Sequence, residues 1–169
     1  INAHATVISR GPYIDARIDG AWAPGTTVQG GATLAVELYA PDWIPLDTVT
    51  LFQNGVAVET IELPAADDAD DSEDDSGEDS GDAKDTGAAK GKGKGKGKGK
   101  GGKANGLRWQ GSFEIAPDTD AFFTVEVSSD SEMSPAYPGE TPWAMTAAIL
   151  VDVDSDGWTA PRNGSDKAR

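Results

Sequence analysis

Cysteine is absent from the 169 residues, and histidine occurs once, at His4. The first absence excludes disulfides, thiolate metal sites and thiol nucleophiles. A lone histidine cannot build a two-histidine metal centre, and a triad would need a nucleophile beside it. No G-x-S-x-G element surrounds Ser9 or Ser112, so no serine is marked for that role. Apolar runs stay well short of the ~18 residues that a membrane-spanning helix requires, and no span is expected. Helical three-four periodicity is nowhere sustained, and ten prolines fall at segment boundaries. Positive charge is scarce too: 14 Lys+Arg stand against 29 Asp+Glu, a formal net charge of −15. That balance argues against a nucleic-acid partner for the whole chain. The opening INAHATVISRGPYID has no basic n-region and no initiator Met. It does not read as a signal peptide, and the expectation is a piece of a longer polypeptide.

What the chain does have is short-period alternation. In YIDARID (13–19), Ile14, Ala16 and Ile18 share one face, with Tyr13, Asp15 and Arg17 on the other. ATLAVELYA (32–40) repeats the pattern, with Leu34, Val36 and Leu38 inward. Period two over such lengths predicts half-buried strands. TVTLFQNGVAVETIEL (48–63) places Asn54-Gly55 between two β-prone runs, the dipeptide suited to a type I′ hairpin. Residues 107–115, 121–129 and 143–153 supply three more strands, and the intervening loops are rich in Pro, Gly and Asp. The fold class expected is all-β: an antiparallel, immunoglobulin-like sandwich of about seven strands. It forms a single domain over 1–169, with a lead-in segment at 1–12 and a flexible tail at 162–169.

Residues 64–106 are of another kind. Eleven acids crowd into 67–85, and seven lysines alternate mostly with glycine over 90–103. Neither run has the apolar area to offset ~1–2 kcal/mol of backbone entropy per ordered residue. The expectation is a disordered insertion at a hairpin tip, flanked by neighbouring strands, since closure entropy grows only logarithmically with length. Lys-Gly repeats can attract phosphate backbones, but the insertion has no aromatics to stack on bases. A polyampholyte whose two halves screen each other is the simpler reading. Outside this stretch the chain remains acidic, with 18 acids and 6 bases.

Two features carry possible chemistry. VDVDSDGW (151–158) puts Asp152, Asp154 and Asp156 on alternate positions ahead of Gly157. Alternate carboxylates in a turning loop can converge on Ca²⁺, with the Trp158 carbonyl as a further ligand. The twelfth position of such a loop would be Asn163 instead of a bidentate glutamate, and no flanking helices are expected, so a full EF-hand is rejected. A partial, weak calcium loop competes with an acidic turn in which aspartates accept backbone N–H groups. The five tryptophans raise sugar binding as a second possibility. Trp22 and Trp43 fall in expected loops, Trp109 and Trp143 in strands, and Trp158 just after the aspartates. Such residues more often plug a small β core.

SRGPYIDARIDG, APDWIPLDTVTLFQNGVAVETIEL and PWAMTAAILVDVDSDGWTAP together resemble the C-terminal β-sandwich of bacterial PHP-domain (polymerase and histidinol phosphatase-like) metallohydrolases. The matching positions are Ser9-Arg10-Gly11-Pro12, Asn54-Gly55, Asp152, Asp154, Asp156, Gly157 and Trp158-Thr159-Ala160-Pro161; the chain departs at Ser155 and in its charged insertion. The resemblance implies an upstream catalytic domain holding divalent metal ions and hydrolysing phosphoester or related bonds. None of its catalytic residues has a position here. This chain would be its non-catalytic accessory domain, exported with it and used for docking, stability or substrate access. Val7 and Ile8, with His4 and Arg10, are the expected interface to that domain. The alternative is an extracellular carbohydrate-binding or adhesin-type module.

Overall fold

A computed structural model describes residues 5–64 and 106–161. The expectations made for 65–105, for 162–169 and for His4 lie outside them. Eleven strands and no helix make up the described residues: β1 (Val7–Arg10), β2 (Tyr13–Ile18), β3 (Ala21–Trp22), β4 (Thr27–Gln29), β5 (Ala32–Tyr39) and β6 (Thr48–Gln53) come first. β7 (Val56–Glu62), β8 (Leu107–Ile115), β9 (Ala121–Ser128), β10 (Trp143–Thr146) and β11 (Ile149–Asp152) follow.

They form two sheets. The four-stranded sheet runs β3-β2-β5-β8, with Ile14 opposite Leu38 and Leu34 opposite Phe113. The seven-stranded sheet is built around β9. β6 lies along one side of β9, from Thr48↔Ser128 to Gln53↔Phe123, and β7 lies beyond β6. On the other side of β9, β10 and β11 follow one another, with β1 outside β10 and β4 outside β11. Each pairing is antiparallel except that of β4 with β11.

Alternation does what the pleat requires. Ile14 and Ala16, Leu34, Val36 and Leu38, and Phe113 and Ile115 point inward from one sheet. Val49, Leu51, Phe123, Val125, Val127, Ile149 and Val151 meet them from the other. Burying each of the larger side chains contributes about 1.5–3 kcal/mol, and this shared layer is the β-sandwich core. The β6–β7 turn is a hairpin as expected, with both Asn54 (φ 52°) and Gly55 (φ 81°) in the left-handed region that a type I′ turn demands. Asn54 is also fastened to β9. Its N–H donates to the Phe122 carbonyl, and its side-chain oxygen accepts from Phe122 N, both at 2.9 Å.

The structure departs from the sequence reading at several points. Among the described residues β7 pairs only with β6, whereas β8 pairs with β5 in the other sheet. The strands that flank 65–105 therefore lie in different sheets and are not hairpin neighbours. Residues 7–10 of the lead-in segment are an edge strand, and Trp22 sits in a strand instead of a loop. The stretch 143–153 is two strands, broken at Ala147-Ala148. No helix among the described residues is long and apolar enough to cross a membrane.

Candidate functional site

The aspartate phrase begins at the end of β11, where Val151 pairs with Ala121. That register sets Asp120, just ahead of β9, beside Asp152. One carboxylate oxygen each of Asp120, Asp152 and Asp154 lie within 4.8 Å of one another. Asp156 stands outside this trio, and Trp158 turns its indole toward β9, where Nε1 donates to the Ala121 carbonyl at 3.0 Å. Asp120 was not singled out from the sequence. The signal was there in principle: APDTD leads into a strand whose neighbour is the one ending in the aspartates.

The buried Asp152, 4% exposed, is fully engaged by its own loop. Its Oδ1 accepts Ser155 N at 2.8 Å and its Oδ2 accepts Gly157 N at 3.1 Å. Both donors belong to left-handed residues, Ser155 at φ 64° and Gly157 at φ 113°. A six-residue turn with two such residues needs an acceptor at its centre, and Asp152 provides it. Asp120 does the same from the other side. It accepts Val153 N at 3.0 Å through Oδ1, and through Oδ2 it accepts Thr159 N at 2.6 Å and Thr159 Oγ1 at 3.1 Å. The backbone bonds from Val153 and then Thr159 hold the Asp120 carboxyl below the ordinary aspartate value. Asp156 is pushed up, first by a side-chain hydrogen bond with Asp154 and then by that residue's charge.

A hard cation such as Ca²⁺ takes about 6–8 oxygen ligands. Here both oxygens of Asp152 and both of Asp120 already accept hydrogen bonds from the loop. These bonds account for the carboxylates as caps of the turn, and each oxygen keeps a second lone pair.

The four expected interface residues separate. Val7 packs against the core, while Ile8 is 66% exposed on the outer face opposite Met145. Arg10 forms an ion pair within the chain, to Glu140, and His4 lies outside the described residues.

Near Arg10 the structure shows a second feature that sequence reasoning did not find. A cleft of about 500 Å³ is lined by Arg10, Gly11, Trp43, Ile44, Tyr137 and Glu140, among others. Trp43 is 45% and Tyr137 60% exposed, their ring centroids 6.5 Å apart and their planes tilted by 33°. Ile44 and Met133 are buried beneath. Trp43 is in a loop, as its sequence context predicts, but at the surface instead of plugging the core.

No protein-family model, curated protein or solved structure matches the chain. Fold and site define it by class alone: an all-β sandwich domain with a carboxylate-capped terminal turn and an aromatic cleft.

Proposed function

We propose that this chain is a non-catalytic accessory β-sandwich that docks on a PHP-type metallohydrolase domain of the same polypeptide and is exported with it. The observation that carries the docking role is the β1 edge. Among the described residues β1 ends the seven-stranded sheet, with no strand on one side of its backbone, and Ile8 is two-thirds exposed there. An open edge with an apolar side chain is a surface that proteins ordinarily cover. The motif phrases around Gly11-Pro12, Asn54-Gly55 and Asp152–Pro161 support the choice of parent. Arg10 acts in this reading by fixing the end of β1 through Glu140, not by reaching the partner.

The test is made on the full polypeptide. A gene encoding no metal-binding catalytic domain ahead of Ile1 overturns the reading. Where that domain is present, Ile8→Glu is expected to split one calorimetric transition into two and to lower turnover without changing metal content. A single transition with unchanged turnover rules out docking through this edge. A second reading, an extracellular carbohydrate-binding module, is supported by a different observation, the exposed aromatic pair of the cleft.

A further inference from the structure

We infer that the cleft between the 41–44 turn and the 133–140 loop binds a neutral sugar ring, stacked on Trp43 and Tyr137 with its hydroxyls on Arg10 and Glu140. The inference rests on the binding-module reading and is independent of docking through β1.

The cleft is pre-built. The Trp43 turn is closed by Ile44 N donating to the Pro41 carbonyl at 3.0 Å. Arg108 Nη1 clamps it from outside, donating to the Pro41 carbonyl at 2.9 Å and the Ile44 carbonyl at 3.0 Å. The Tyr137 loop is tied to itself: Tyr137 N donates to Met133 O at 2.7 Å, and Met133 N to Glu140 O at 2.8 Å. Glu132 adds a bond from Gly139 N at 2.8 Å. Gly11 lets the floor close. A Cβ there would stand 3.1 Å from both Ile44 Cδ1 and Met133 Sδ, and the residue's φ of +116° is itself hard for other side chains. Two large aromatic rings are thus held at the surface on fixed loops, where exposure costs hydrophobic free energy unless something covers them. At about 500 Å³ the space falls within the ~300–1,000 Å³ of small-molecule sites.

The rim decides what kind of ligand fits. Arg10 and Glu140 are each about half exposed and neutralise one another, so the cleft offers donors and acceptors side by side with no net charge. An anion or cation would have to compete with that pair. A sugar hydroxyl both donates and accepts, so one ring can address Arg10 and Glu140 together. Its C–H face meets the aromatic wall. A proline-rich segment would also stack on the rings. Its prolines carry no N–H, however, and would bring Glu140 no donor beyond the Arg10 it already has, whereas a sugar hydroxyl would.

The test is saturation-transfer NMR on the intact chain with four neutral probes: cellotetraose, maltotetraose, mannotetraose and chitotetraose. An anionic galacturonate tetramer and decaproline serve as comparisons. At least one neutral sugar is expected to bind with a Kd of about 1 mM or tighter. Trp43→Ala and Tyr137→Ala should each weaken it about tenfold with the melting temperature kept, since both rings are exposed. Glu140→Gln, which keeps an acceptor but breaks the ion pair, should weaken it less. Binding of the anionic tetramer in preference, or of decaproline alone, overturns the neutral-sugar assignment while leaving a binding module in place. Silence from every probe overturns both. A sugar that binds equally well to Trp43→Ala binds elsewhere, and the cleft is then wrong.

Discussion

Replacing Asp152 by alanine separates a structural carboxylate from a metal-binding one. In the folded chain its two oxygens accept Ser155 N and Gly157 N, and only 4% of the residue is exposed. A hydrogen bond to a charged group contributes about 1.5–3 kcal/mol net, so two would set an upper figure of about 3–6 kcal/mol. Ser155 and Gly157 are themselves exposed, and water can take over part of what the carboxylate provided. About 2–4 kcal/mol is therefore expected for Asp152→Ala. Asp152→Asn keeps one acceptor and should cost about half as much. The assay is urea unfolding followed by tryptophan fluorescence, in EDTA. With a slope of roughly 2 kcal/mol/M, the Ala variant should lose about 1–2 M in midpoint at unchanged slope. The turn is local, so the unfolded state should not change. Millimolar calcium should leave both midpoints where they are. A loss below about 0.5 kcal/mol in EDTA would refute the capping argument, as would a loss seen only in calcium.

Four further outcomes follow from other residues and segments. At Gly111 an added Cβ would lie 2.5 Å from Trp109 Cη2, because the indole folds back over this glycine toward Phe113, centroid to centroid 6.4 Å. Gly111→Ala should destabilise by about 1–3 kcal/mol, yet cost almost nothing in a Trp109→Ala background, which a double-mutant cycle measures. Asp156 has its pKa raised by Asp154, so its folded-state contribution is greatest below the unfolded value of 3.8 and is lost as pH rises through the folded value. Asp156→Asn should raise the melting temperature at neutral pH, with the gain disappearing on acidification. Asp120 has the opposite sign: its stabilisation is present above 3.8 and lost as pH falls through the lowered value, so Asp120→Asn should harm the protein at pH 7 and cease to matter in strong acid. Replacing 65–105 with about ten Gly/Ser residues, able to reach roughly 17 Å, should shift melting by only a few degrees. A two-residue Asn-Gly turn should prevent folding, because its ends would have to join different sheets.

The long strands were legible because alternation writes itself over six or more residues. Ile14, Leu34, Val36 and Leu38 all lie where period two put them. β1, β3 and β4 have four, two and three residues, too few for any period to show. β1 and β4 take their strand character from partners far along the chain, such as Val28 opposite Val151, and β3 takes its from a tight turn back onto β2, with Ile18 opposite Ala21. The hairpin-tip expectation for 64–106 failed for a similar reason: sequence adjacency says which strands follow each other, not which sheet each joins. Asp152 and Asp154 were visible as a spacing, but Asp120 is 32 residues upstream of Asp152 and enters only through the β9–β11 register. The aromatic cleft draws on Arg10, Trp43 and the 133–140 loop, three segments that no local pattern connects.

After β3 the chain leaves the four-stranded sheet, runs beside β11 as β4, and returns as β5. Gly25 N donates to Ala148 O at 2.8 Å, Leu150 N to Thr26 O at 2.9 Å and Gly30 N to Asp152 O at 2.8 Å. In mechanical terms the excursion is a hasp. The sandwich cannot swing open like a book along this side without first rupturing these bonds and the β4–β11 pairing. Opening is expected first on the far side, where among the described residues β7 pairs with β6 alone. The amides of Gly30 and Leu150 should exchange with solvent only through global unfolding, and unpaired β7 amides well before them.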